Sequence, residues 1–112
     1  MRLVKFLISV IDTQTRPPHT PSEIAAIDAF NEKLVKAGQR VLAIGLESPN
    51  DATVVDARGQ YIETKSGPLH ATEEFVSGIW IIDVSDHETA MQLAKEGSKA
   101  CNRKVELRPI IG

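Results

Sequence analysis

Gly78-Ile79-Trp80-Ile81-Ile82-Asp83-Val84 is the stretch on which the fold turns. It is short, branched and apolar, without helical spacing, and so reads as a strand. Trp80, Ile82 and Val84 alternate with Ile79, Ile81 and Asp83, which makes both faces largely apolar. An antiparallel sheet with one face in water alternates cleanly between apolar and polar residues. This strand is therefore expected to be central and covered on both sides.

Leu3 to Ile11 repeats the pattern: Val4, Phe6, Ile8 and Val10 form one face, and Leu3, Leu7 and Ile11 share the other with Lys5 and Ser9. Between these strands, Thr20, Pro21 and Glu23 compose an N-cap, a first-turn proline and a capping-box acid. Ile24, Ile27, Phe30 and Leu34 then recur at helical spacing, with Glu32 and Lys36 as an i,i+4 pair and Gly38 as the stop. Arg40 to Glu47 reads as a second strand. Thr53 to Asp56 and Gln60 to Thr64 read as a hairpin about Arg58-Gly59, the glycine supplying a positive φ. Lys65 to Ser77 reads as a loop. Ser85 and Glu88 repeat the capping-box logic before a helix that presents Ala90, Leu93 and Ala94 and fails near Gly97. Cys101 then falls in a polar loop. Lys104 to Arg108 alternates strictly and stops at Pro109.

The order is strand, helix, strand, inserted hairpin, strand, helix, strand, in one domain spanning 1–112. The expected class is α+β: a ferredoxin-like βαββαβ plait with an inserted β-hairpin. Two right-handed crossovers place both helices on one face of a four-stranded antiparallel sheet. The other face then needs a cover. A homodimer joined through the helix-free sheet face supplies one, forming a dimeric α+β barrel. The rival is the hairpin folding back over its own sheet.

At 112 residues the chain is too short for two cores. Net charge is −2, with no basic stripe for a phosphate backbone, and the aromatic residues are too scattered to form a base-stacking platform. Nucleic-acid binding is not expected. The N-terminal apolar run is interrupted by Lys5 and ended by Asp12, and no other run approaches a membrane span. One cysteine fits a reducing compartment, so a cytoplasmic location is expected. No glycine-rich phosphate loop, nucleophile elbow, Cys-x-x-Cys or HExxH occurs, and neither a cofactor nor a metal is implied.

Four landmarks carry a family likeness: Gly45-Leu46, Ser66-Gly67-Pro68-Leu69, Gly78 opening an apolar strand, and Val105-Glu106-Leu107-Arg108-Pro109. Together they resemble the YCII-related proteins, in the branch named for its Asp-Gly-Pro-Phe loop. The resemblance implies a dimeric α+β barrel without implying a settled activity. The sequence departs from the branch at Ser66, where the loop usually has aspartate, and at Leu69, where it has phenylalanine. Of the acidic pattern that follows, Ala71-Thr72-Glu73-Glu74 keeps only the final acid.

Some YCII-related proteins carry a histidine–aspartate pair with the histidine in the region of His19, which makes His19 the leading acid–base residue here. Asp83, flanked by apolar residues, must be paired or hold a raised pKa, and Lys5 is expected on the same sheet face. His70, a further catalytic candidate, follows the Gly-Pro loop toward the same cleft, with Glu74 one turn on as a proton-relay partner if that segment is helical. Ser66, Gly67, Pro68, Glu74 and Arg108 are the expected ligand-binding residues. Two functions follow: a ligand-binding or regulatory dimer, or a cofactor-independent small-molecule enzyme using a His19–carboxylate pair in a barrel cleft.

Overall fold

The computed structural model describes residues 2–112. Six strands and two α-helices follow in the order β1 (Val4–Thr13), α1 (Pro21–Lys36), β2 (Arg40–Gly45), β3 (Thr53–Asp56), β4 (Glu63–Ser66), β5 (Glu74–Val84), α2 (His87–Cys101) and β6 (Lys104–Pro109). The class is α+β. β2, β5, β1 and β6 form, in that order, one antiparallel sheet, and β3 and β4 pair only with each other. The two-faced strands β1 and β5 are the central pair, as their composition requires.

The capping box forms as read. The Thr20 hydroxyl accepts from Glu23 N–H at 3.2 Å, and Glu23 Oε1 accepts from Thr20 N–H at 3.0 Å. Gly38, at φ +68°, ends α1 in the left-handed region where a side chain would be strained. Phe30 and Leu34 enter the core and Ile27 packs beside it, whereas Ile24 stays half in water. The sheet contributes Phe6, Ile8, Val10, Trp80, Ile82 and Val84 to the same core, and α2 contributes Ala90, Leu93, Ala94 and Cys101. Both helices thus pack on one sheet face.

The second helix departs from expectation at both ends. Its N-cap is Asp86, not Ser85. The Asp86 carboxylate accepts from Thr89 N–H at 2.7 Å, while Ser85 turns its hydroxyl toward Asp86. Nor does α2 fail at Gly97. A Cβ there would lie 3.3 Å from ring carbons of both Phe30 and Trp80, so the missing side chain is what lets α2 close on these rings. The helix runs to Cys101, which is a buried helical residue rather than a loop thiol, and Asn102 caps it at φ 51°.

The hairpin also differs. Thr53 pairs with Ser66 and Asp56 with Glu63, leaving a six-residue connection, 57–62, instead of a tight turn. Gly59 has no positive φ; the Asp56 carboxylate holds the turn by accepting from Arg58 N–H and its guanidinium. β5 begins at Glu74, inside the expected loop, because Glu74, Phe75 and Val76 pair with the far end of β1. The hairpin packs on itself and projects from the sheet instead of folding across it. The molecule is correspondingly flat, 47 × 36 × 18 Å.

Candidate functional site

A cavity of about 230 Å³ opens between α1 and the β2–β5 end of the sheet. Val10, Ile27, Ala43 and Trp80 give it apolar walls, Ile44 and Ile79 border it from strands that turn their side chains to the other sheet face, and His19, Asn31, Ser77 and Cys101 are its polar residues. Three local features make the space. Gly45 and Gly78 face each other across β2 and β5, so neither strand fills it. A register break between Val10 and Ile11 leaves Ser77 unpaired as a β-bulge, a device common beside binding sites. The Phe30–Trp80 edge-to-face pair, 5.1 Å between centroids, sets the indole in the wall.

Hydrogen bonding fixes how two polar groups are presented. His19 Nε2 lies 3.0 Å from the Cys101 carbonyl oxygen. A carbonyl can only accept, so Nε2 carries the hydrogen, and in the neutral ring Nδ1 is left with a free lone pair. Trp80 Nε1–H donates to Asn31 Oδ1 at 2.9 Å. The indole can only donate, so the amide is oriented with its NH2 free. The Cys101 thiol is weakly reactive, because burial pushes its pKa up.

Behind His19 sits Arg103, a nearly fully buried arginine. Its Nε lies 3.2 Å from Asp12 Oδ2. Its terminal nitrogens donate to the carbonyls of Asn102 and Pro17 at 3.0 Å each, and to Cys101 at 3.4 Å. Arg16 donates to the same Asn102 carbonyl, and the Asn102 amide donates to Glu23 Oε2 at 2.8 Å. Thr20 N–H first, then the Asn102 amide, hold the Glu23 carboxyl below its ordinary range. This network ties the 14–20 connection to the end of α2 and thereby positions His19.

The other expected site residues stand elsewhere. Asp83 pairs with Lys5 at 3.1 Å on the helix-free face, as read. It lies toward the opposite end of β1 from the cavity, so it and His19 do not form the expected acid–base pair. The 71–73 segment is not helical, and Glu74 opens β5 and pairs with Lys104, which separates it from an exposed His70. Ser66 ends β4, exposed; Gly67, at φ +95°, donates its N–H to the Ala52 carbonyl at 2.7 Å. Pro68 lines a shallow groove with Leu46, Phe75 and Val76. Arg108 pairs with Glu106 on exposed β6. None of these reaches the cavity.

Asn31 and Arg103 were not legible as site residues. The signal for Asn31 was available, since a buried tryptophan requires an acceptor for its N–H. Among the described residues, no group of three or more His, Cys, Asp or Glu side chains is arranged to hold a metal ion. No helix there is long and apolar enough to cross a membrane. The chain matches no family model, and no curated protein sequence matches it.

Proposed function

We propose that this chain is a small-molecule-binding protein of the YCII-related kind: a ferredoxin-like plait that forms a dimeric α+β barrel and holds its ligand in the cavity between α1 and the sheet. The observation that carries the reading is the bare apolar face of the sheet, opposite the helices and the cavity. Leu7, Ile11, Leu42, Ile44, Ile79 and Ile81 all lie on it.

The energetics favour covering that face. At about 25 cal/mol per Å² of apolar surface, sheltering six such side chains contributes several kcal/mol. The sheet face alone, roughly 19 by 20 Å from strand spacing and rise, falls short of the roughly 800 Å² per partner of a stable interface. The hairpin, with Val55, Tyr61 and Ile62 exposed and its strands paired chiefly with each other, is available to supply the rest. Its failure to cover its own sheet removes the main support for the intrachain rival. A reducing, cytoplasmic setting suits the single buried thiol.

Sedimentation velocity at micromolar concentration, with and without a thermal-shift hit, tests the reading. A monomer under both conditions overturns the dimer, and the absence of any stabilising compound overturns the ligand. A second reading, catalysis without a cofactor, is favoured by one observation: the His19 ring is oriented by a carbonyl so that Nδ1 is free to take a proton. Turnover unaffected by His19→Ala would exclude it.

A further inference from the structure

We infer that the cavity selects an uncharged, compact molecule carrying both a carbonyl oxygen and a hydroxyl group. This inference rests on the cavity being the ligand site, and it specifies the class of ligand. The reasoning starts from what the walls offer. Apart from apolar residues, the cavity is lined by His19, Asn31, Ser77 and Cys101, with no aspartate, glutamate, lysine or arginine. An ionised ligand would lose its hydration there without gaining a counter-charge, which is strongly unfavourable.

Two of these groups are committed to one polarity. The Asn31 Oδ1 already accepts from the Trp80 indole, which turns both donors of its NH2 to other partners. His19 has given its Nε2 hydrogen to the Cys101 carbonyl and retains an acceptor. The Ser77 hydroxyl is only weakly engaged, 3.5 Å from the Val10 carbonyl oxygen, and can serve either role. A ligand that satisfies the committed pair must accept from Asn31 and donate to His19. A carbonyl and a hydroxyl on one small skeleton do both. A purely apolar molecule would strip water from both groups and leave them unpaired. Size sets the remaining limit: an apolar cavity of about 150 Å³ holds benzene, so 230 Å³ admits one ring or a short chain with its substituents.

Titration of the full chain with the three hydroxyacetophenone isomers, ethylbenzene and the matching hydroxybenzoates tests this. The chain has one tryptophan, so a single indole N–H signal in a proton–nitrogen correlation spectrum reports from the cavity wall. The best hydroxyacetophenone should bind about tenfold or more tighter than either ethylbenzene or its hydroxybenzoate. Asn31→Asp keeps an acceptor for Trp80 but removes the donors, and should erase that advantage. Ethylbenzene binding as tightly as the hydroxyacetophenones, or a hydroxybenzoate binding tightest, overturns the inference while the cavity remains a ligand site. If no compound moves the Trp80 signal, the cavity reading itself falls, and the inference with it.

Discussion

Arg103→Met tests whether one buried guanidinium holds the site together. Methionine keeps much of the apolar stem but donates nothing. The Arg103 side chain is 3% exposed, and it binds Asp12 and the carbonyls of Pro17, Cys101 and Asn102. Hydrogen bonds from a charged donor contribute about 1.5–3 kcal/mol each, but a sum would overstate the loss. The carbonyls of Pro17 and Asn102 belong to exposed residues and recover water, the buried Cys101 carbonyl keeps its bond from His19, and the Asp12 side chain is already 19% exposed. Breaking a buried pair by removing one partner costs about 3–5 kcal/mol, and the lower end applies here. A loss of about 3 kcal/mol is a large part of a typical 5–15 kcal/mol stability. It should lower Tm by roughly 13 °C in a domain of this size. Urea unfolding should show a lower midpoint with an unchanged slope. Asp12→Asn should cost less, since Arg103 keeps its three carbonyls, and the double variant should be strongly non-additive. Amide exchange across residues 14–20 should accelerate in Arg103→Met ahead of the rest of the chain. A loss below about 1 kcal/mol, or additivity with Asp12→Asn, would refute the clamp.

Gly78→Ala should destabilise by about 1–3 kcal/mol in urea, because its Cβ would meet the Ile44 carbonyl oxygen at 3.0 Å; a neutral result would mean that β2 yields easily. Asp86→Ala should lower Tm at neutral pH. Thr89 N–H, donating to the carboxylate, holds the Asp86 pKa down, so its contribution is full above the unfolded value of 3.8 and fades as pH falls through the lower folded value. The two melting curves should converge in strong acid, and a gap that persists there would contradict the cap. Ile81→Glu places a charge in the middle of the bare face and should weaken the proposed dimer about a hundredfold or more by sedimentation; an unchanged association constant would contradict a dimer through this face.

What the sequence revealed and what it hid divide along the range of the interactions involved. The α1 capping box, the Glu32–Lys36 pair and the Lys5–Asp83 pair were legible because helix period or strand alternation places their partners. The start of β5 was hidden because Glu74-Phe75-Val76 is strand only through pairing with Ile11–Thr13, sixty residues away. Gly97 looked like a helix end because its purpose, room for Phe30 and Trp80, is tertiary. Asp86 displaced Ser85 as N-cap by one position, within the range where capping residues compete. The cavity was half legible: His19 was singled out, but its partner is a backbone carbonyl of α2, which no side-chain pattern encodes. Arg103 lay in a polar stretch that reads as exposed, and only the fold closes over it.

The two facing glycines settle differently, and the difference bears on function. Gly78 has a reason in the backbone, since a Cβ there would lie 3.0 Å from the Ile44 carbonyl oxygen and press on β2. Gly45 has none: its φ is ordinary, and a Cβ would meet nothing within 4 Å. Glycine in a strand costs backbone entropy, about 0.5–1 kcal/mol relative to alanine. Folding alone therefore gives no reason for glycine at 45, whereas an open cavity does. Gly45→Ala should raise stability by about 0.5–1 kcal/mol in urea and weaken compounds that bind the cavity. Gly45→Leu should fold as well and exclude them. If both variants bind every cavity ligand as tightly as the native chain, the space beside Gly45 is not where the ligand sits.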